Sequence, residues 1–442
     1  MKRAASILMI GIFLAAPINA WAGEAELMQK IEMLEARLRT LEIRAEEQNS
    51  CIAIQAKMNE CQETTLKDQR KRIEEMAGSA LAARPERNGL KVGGFEIGAG
   101  VTMVGQYAIG ANADESDSRT NMCDGTMTVD IGITRQIEDF GKAFLHLEYG
   151  QEGAYGVEND ITAYPFTNVN YDANADGFRI SEAWYEHYLF DKKLTITGGK
   201  VDPTIYFDGN AVANDETTQF LNRAFRNNPT IEFPEDNSLG MQTTFIPYEW
   251  CYLSTGFFEA DANWENFFNN LFGVVEVGFS PKFFGRDDNY RFILWGNNNN
   301  HEKLTDVEMN KRHNYGWALS FDEKVTENVT VFSRLGMQNS LVSDVRTAWS
   351  AGAQVAGKLW KREDDVLGLA FGQAIPGRDY KIANSTYNAR WQTSFEVYYK
   401  FKVNEYLALS PDFQVIWDPN GIDPLSRKGP VEVLGLRGQI DF

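Results

Sequence analysis

The residues best equipped for chemistry lie close together between Asp202 and Asn237. Asp202, Asp208, Asp215 and Glu216 supply carboxylates, Arg223 and Arg226 supply guanidinium groups, and Tyr206 and Phe207 supply aromatic faces. Opposed charges across a narrow aqueous passage create a transverse field, and aromatic faces can slide along sugar rings. The pattern suits recognition of solutes in transit. An ordinary outer loop with solvated charges would carry the same residue types, so the surrounding elements must decide.

Other chemistry is sparse. Asp172, Asn174 and Asp176, followed by Gly177, resemble the opening of a calcium loop with oxygen ligands at alternate positions. The Glu expected at the twelfth position is Ala183, with Glu182 one place early, so a hydrophilic turn competes with calcium. His146, His187, His301 and His313 show no metal-ligand spacing and read as structural or pore-lining. The chain has no C-x-x-C-H heme signature and no G-x-S-x-G elbow, so neither a cofactor nor enzymatic activity is expected.

The elements begin with an export signal. Lys2 and Arg3 precede an apolar run from Ala4 to Ala16, and Ala20-Trp21-Ala22 offers small residues for cleavage before Gly23. Residues 1–22 read as a signal peptide, the alternative being an uncleaved anchor. Residues 24–77 then form an unbroken heptad pattern. Ile31, Leu38, Ile52, Leu66 and Ile73 fall at a; Leu27, Leu34 and Leu41, then Gln48, Gln55, Gln62 and Gln69, fall at d. No Gly or Pro interrupts the stretch, so one helix about 80 Å long is expected. Such a helix must bury its stripe against copies of itself or against its own barrel, and a homotrimeric periplasmic coiled coil is preferred. Residues 78–92, with Pro85, read as a linker.

From Lys91 the period changes to two. Phe95, Ile97, Val101, Met103, Tyr107 and Ile109 alternate with Glu96, Thr102 and Gln106; Trp391 to Phe401 alternates likewise. Sixteen strands are expected, near 95–110, 124–136, 141–152, 177–190, 193–202, 238–247, 250–260, 271–281, 289–297, 312–323, 328–337, 347–360, 363–373, 389–402, 406–417 and 429–442. Asn297 to Asn300 reads as a polar loop. The gaps alternate short and long, with tight turns at Asp139–Gly141, Asp191-Lys192, Pro247-Tyr248 and Val403–Glu405. A soluble sandwich has no reason to sort its loops this way, whereas outer-membrane barrels do. The fold class expected for residues 93–442 is therefore an all-β transmembrane barrel of antiparallel strands behind an N-terminal α-helical coiled coil. Leu434, Leu436, Ile440 and Phe442 share one face of the last strand, resembling a barrel-assembly signal.

Two blocks carry a family resemblance. Gly198 to Pro229 reads G-G-K-V-D-P-T-I-Y-F-D-G-N-A-V-A-N-D-E-T-T-Q-F-L-N-R-A-F-R-N-N-P. The second runs from L-G-L-A-F-G at Leu367 through W-Q-T-S-F-E-V-Y-Y-K-F to V-L-G-L-R-G-Q-I-D-F. Both resemble the carbohydrate-selective (OprB-like) porins. The resemblance implies a sixteen-strand barrel passing small solutes, sugars being the named class. The stem is a departure from the sugar porins.

Position then assigns a role to the charged segment. A sixteen-strand barrel leaves a water-filled lumen, and the Asp202–Asn237 connection after strand five is expected to fold inward and narrow it. Thirteen of 62 acids and fourteen of 43 bases precede Gly93, leaving 49 against 29, a net −20 for the barrel. Neutral solutes or cations are favoured over anions, which need rings of Arg or Lys. The partners expected are small hydrophilic solutes, outer-membrane lipid and lipopolysaccharide, two further copies of the chain, and peptidoglycan along the stem. No nucleic-acid partner is expected. A cation-preferring general porin and a barrel sheathing a partner cytochrome are the alternatives.

Four cysteines in an exported chain would suggest two disulfides. Cys51 and Cys61 lie about 15 Å apart along one helix. Cys123 and Cys251 fall at opposite levels of an apolar band about 25 Å tall. Neither pair can close within one chain.

Overall fold

The computed structural model describes residues 28, 32–40, 89–111, 120–150, 157, 161, 177–234, 236–265, 267–281, 285–286, 288–305, 312–421 and 429–442. The chain divides into two units, Met1–Gln69 and Arg70–Phe442. In the first, residues 32–40 are helical, and Leu34 and Leu38 on its expected seam are 61% and 59% exposed. The rest of the expected coiled coil, the signal peptide, residues 78–88 of the linker and the calcium candidates Asp172, Asn174 and Asp176 lie outside the described residues.

The second unit is built from strands. They are β1 (Leu90–Val92), β2 (Phe95–Ala111), β3 (Thr120–Ile137), β4 (Gly141–Gly150), β5 (Gly177–Leu189) and β6 (Leu194–Val201). Next come β7 (Ser238–Tyr248), β8 (Cys251–Glu259), β9 (Leu271–Phe279), β10 (Asp288–His301), β11 (Arg312–Thr326) and β12 (Val329–Gln338). The series ends with β13 (Val345–Ala356), β14 (Val366–Pro376), β15 (Gln392–Lys402), β16 (Leu407–Trp417) and β17 (Val431–Asp441). From β2 onward each strand pairs antiparallel with the next, and β17 returns to β2 through Glu432↔Ile109 to Asp441↔Gly100. The sheet therefore closes as a sixteen-strand barrel, in which every strand finds two partners and no edge remains.

The pleat explains the composition. Met103, Tyr107, Leu369, Phe371, Leu434 and Leu436 face outward and are exposed, while Thr102, Gln106, Ser350, Gln414 and Arg437 on the opposite face are buried. Aromatic residues gather near the short turns, where Tyr248 stacks on Trp250 at 5.5 Å and Trp250 on Phe279 at 6.3 Å. Tyr406 and Phe442 stack at the same level, with centroids 6.4 Å apart. Aromatic rings at the rim of an apolar wall suit a membrane–water boundary. Among the described residues no helix is long and apolar enough to cross a membrane.

Several boundaries differ from the sequence reading. Asn297 to Asn300 continue β10, because side-chain bonds such as Asn298 Oδ1 accepting from Leu271 N at 2.6 Å satisfy polar groups that suggested a loop. Leu90 to Val92, expected as linker, form β1 and pair with Phe95 to Ile97. The turn between them needs two positive φ values, and Gly93 (58°) and Gly94 (80°) supply them. β3 starts at Thr120, so Cys123 lies within it. Cys123 and Cys251 are both free thiols.

Candidate functional site

The segment from Asp202 to Asn237 joins β6 to β7 and bonds to the inner faces of strands from β9 round to β17. Asp208 is its first anchor. Its backbone N–H donates to Glu276 Oε2 on β9 at 2.8 Å, and its carboxylate accepts from Asn228 N at 2.6 Å. Arg334 on β12 closes the cage, with Nε 3.2 Å from Asp208 Oδ1, Nη2 2.9 Å from Asp208 O and Nη1 2.8 Å from Phe225 O. Burial pushes the Asp208 carboxyl up from its ordinary range, while Arg334 and the Asn228 N–H pull it back. Asp208 also takes a left-handed φ of 61°, a conformation that Asp tolerates better than most residues and that these contacts hold.

Further anchors add to the attachment, among them Glu232, which accepts from Asn297 Nδ2 on β10 at 3.1 Å and Asn314 Nδ2 on β11 at 2.5 Å. Ser320 Oγ on β11 donates to Gly209 O at 3.0 Å. Glu396 on β15 accepts from Leu221 N at 2.6 Å and Asn222 N at 2.9 Å, a carboxylate held by two backbone donors. Arg437 on β17 donates through Nη1 to the carbonyls of Glu216 and Gln219, each at 2.7 Å. Apolar packing adds to these. Phe220 meets Phe225, Phe332 and Tyr398 within 5.7 Å, and Phe207 meets Phe258 edge-on at 6.1 Å. Each fully buried Phe contributes roughly 1.5–3 kcal/mol. Gly336 makes room for the segment, since a Cβ there would lie 2.0 Å from Thr230 Oγ1.

The candidate residues divide accordingly. Tyr206, Phe207 and Asp208 are 2%, 0% and 0% exposed and serve as anchors, so their faces and charge are not presented to a passing solute. Asp202 caps the entry turn by accepting from Thr204 N at 2.9 Å. Asp215 likewise accepts from Thr217 N at 2.9 Å. Glu216 and Arg226 pair at 3.0 Å, while Arg223 stands half-buried beside them. The structure thus brings Glu216 and Arg226 together within the segment and sets Asp202 and Asp208 apart from them.

The wall formed by β3, β4 and β5 carries groups that sequence spacing did not reveal. Inward positions hold Asp130 on β3, His146 and Glu148 on β4, and Arg179, Glu182, Trp184 and Glu186 on β5. Asp130 lies directly opposite Glu148, which lies opposite Arg179; His146 lies opposite Glu182. Phe144 and Trp184 make a half-buried aromatic step, with centroids 5.1 Å apart and Lys142 Nζ 5.2 Å from the indole centroid. Alternation along each strand could have nominated these inward positions. Their cross-strand neighbours could not be read without the register.

The comparisons agree with this architecture. Residues 147–442 match the family model "Carbohydrate-selective porin, OprB family". The chain belongs to the OprB family. The structure of Pseudomonas putida OprB at high pH superposes with a TM-score of 0.68 at 17% identity, covering 79% of this chain and 94% of that one. At that identity the likeness concerns the fold. Porin AaxA of Chlamydia pneumoniae is 22% identical over 316 residues, 69% of this chain and 67% of the relative. An uncharacterized Aquifex aeolicus protein is 25% identical over 228 residues, 51% of this chain and 60% of that protein. Membership of the OprB family and the closed barrel identify an outer-membrane porin, a channel rather than an enzyme.

Proposed function

We propose that the chain gives small hydrophilic solutes, carbohydrates among them, passive entry through a lumen narrowed by the Asp202–Asn237 segment. The observation that carries this reading is the attachment of that segment to Glu276, Ser320, Arg334, Glu396 and Arg437 on inner faces of the barrel. A crossing chain reduces the aqueous section, and selection then rests on size, hydrogen-bonding groups and charge. Asp202, Asp215, Glu216, Arg223 and Arg226 supply charge on the segment, while Tyr206, Phe207 and Asp208 hold it in place. Phe144 and Trp184 supply the half-buried aromatic surface, next to carboxylates that can accept from sugar hydroxyls. A second reading, a cation-preferring general porin, draws on Glu148, Glu182 and Glu186 in the same wall and on the barrel's −20 charge.

In the same proposal residues 1–22 are removed on export, residues 24–77 form a trimeric coiled-coil stem in the periplasm that touches peptidoglycan, residues 78–92 link, and residues 93–442 span the outer membrane amid its lipid and lipopolysaccharide. The same proposal puts calcium at Asp172, Asn174 and Asp176. Planar-bilayer recording separates the two solute readings. Neutral sugars should interrupt the current in a concentration-dependent manner, and a salt gradient should give a cation-selective reversal potential. Anion selectivity would refute the charge argument, and sugars without effect would leave the general porin as the better description.

A further inference from the structure

The lumen wall holds a convergence of donors that solute passage does not require. Oxygen atoms of Asp130 and Glu148 and a ring nitrogen of His146 all lie within 4.8 Å of one another. They come from three inward positions on two adjacent strands: Asp130 and Glu148 are register partners, and His146 sits two residues before Glu148. Like charges directly opposite on a sheet repel, and a cation between them reverses that sign. His146 Nε2 is 3.1 Å from Asp130 Oδ1. Two ligands of one ion at the usual bond length of about 2.1 Å stand about 3.0–3.4 Å apart, so this separation needs no rearrangement of the strands.

The other side of the imidazole is a second, independent observation. His146 Nδ1 has no hydrogen bond and lies 3.8 Å from Glu182 Oε1. A neutral ring that donates from Nε2 to Asp130 would turn an Nδ1 lone pair toward a carboxylate. The conflict disappears when Nδ1 carries the hydrogen and faces Glu182, leaving the Nε2 lone pair for a metal. A carboxylate behind a ligating histidine fixes tautomer and ring angle in this way. Arg179 Nη2, 3.0 Å from Glu148 Oε1, orients the third ligand and leaves its second oxygen available.

We propose that Asp130, His146 and Glu148 form a divalent transition-metal site on the lumen wall, with Glu182 as the positioning residue behind His146. One imidazole with two carboxylates suits zinc, manganese or iron(II), whereas calcium takes oxygen ligands alone. The site is reached from the water-filled interior, since the His146 side chain keeps 16% exposure. It also touches the inward segment, because Arg179 reaches Asp236 on that segment's exit leg at 3.4 Å.

The test uses the purified full-length chain in detergent and reads metal, not flux, so it stands apart from the solute reading. Calorimetric titration with Zn2+ should show a micromolar site of one ion per chain, with Ca2+ far weaker. His146→Gln should abolish it, and Glu182→Gln should weaken it by about 10- to 100-fold. Zinc-edge absorption on the unaltered chain should show one imidazole and oxygen neighbours at about 2.0–2.2 Å; this covers the case in which a variant fails to fold. An all-oxygen shell, unchanged affinity in His146→Gln, equal affinity for Ca2+, or no binding at millimolar Zn2+ would overturn the proposal.

Discussion

Replacing Arg334 by Met tests whether the inward segment is held by charge or merely by fit. Arg334 is 1% exposed and makes four contacts with the segment: to the Asp208 carboxylate and carbonyl, to the Phe225 carbonyl and, at 3.4 Å, to Asn214 Oδ1. Met keeps the stem length but removes the guanidinium, leaving the fully buried Asp208 carboxylate with the Asn228 N–H but without its ion-pair partner. Breaking a buried pair from one side costs about 3–5 kcal/mol. At about 1.4 kcal/mol per decade, the equilibrium for release of the segment rises roughly a hundredfold to several thousandfold. The barrel closure stays intact, because Gly336, Leu335 and their neighbours keep their ladder bonds to β11 and β13.

Limited trypsinolysis reads the release, since Arg223 and Arg226 become cleavable only when the segment leaves the lumen. Cleavage follows the population of the open form when reclosing is fast. The Asp208→Asn, Arg334→Met double variant is the control: with no charge left uncompensated, it should recover more than half of the loss. Single-channel current through Arg334→Met should be larger and noisier than normal. If cleavage at Arg223 is unchanged in Arg334→Met, or the double variant is as labile as the single one, the charge argument fails.

Three other outcomes are expected. Gly368→Ala should lower the thermal midpoint by an overpacking cost of about 1–3 kcal/mol, because a Cβ there meets the Tyr398 ring at 2.2 Å and Tyr398 carries Phe220; an unchanged midpoint by circular dichroism would show that the ring is free to move. A peptide covering Glu24 to Ala77 should be helical and trimeric by sedimentation, and a helix-poor monomer would defeat the stem proposal. Peptide mapping without reductant should find no disulfide within a chain; a Cys123–Cys251 bridge would contradict the strand directions seen here.

The sequence by itself determined the barrel. Period-two alternation marked each strand, and the sorting of short turns against long connections placed both barrel ends on one side. Those signals are local: a strand such as Gln392–Lys402 needs only its own pleat to declare one wet face and one dry face. The Asp202–Asn237 segment was also legible as a long, charged connection between two strands. What each residue in it does was not. Tyr206 and Phe207 look alike whether they meet a sugar or a buried ring, and only the packing against Phe258, Phe272 and Trp295 distinguishes the two. Asp208 gives no local hint of Arg334, 126 residues away. The lumen-wall cluster shows the same limit more sharply. Asp130 and Glu182 stand far along the chain from His146 and Glu148, and register across β3, β4 and β5 is what sets the four side by side. Register and inward packing belong to the closed sheet as a whole, so these sites became visible only when the barrel closed.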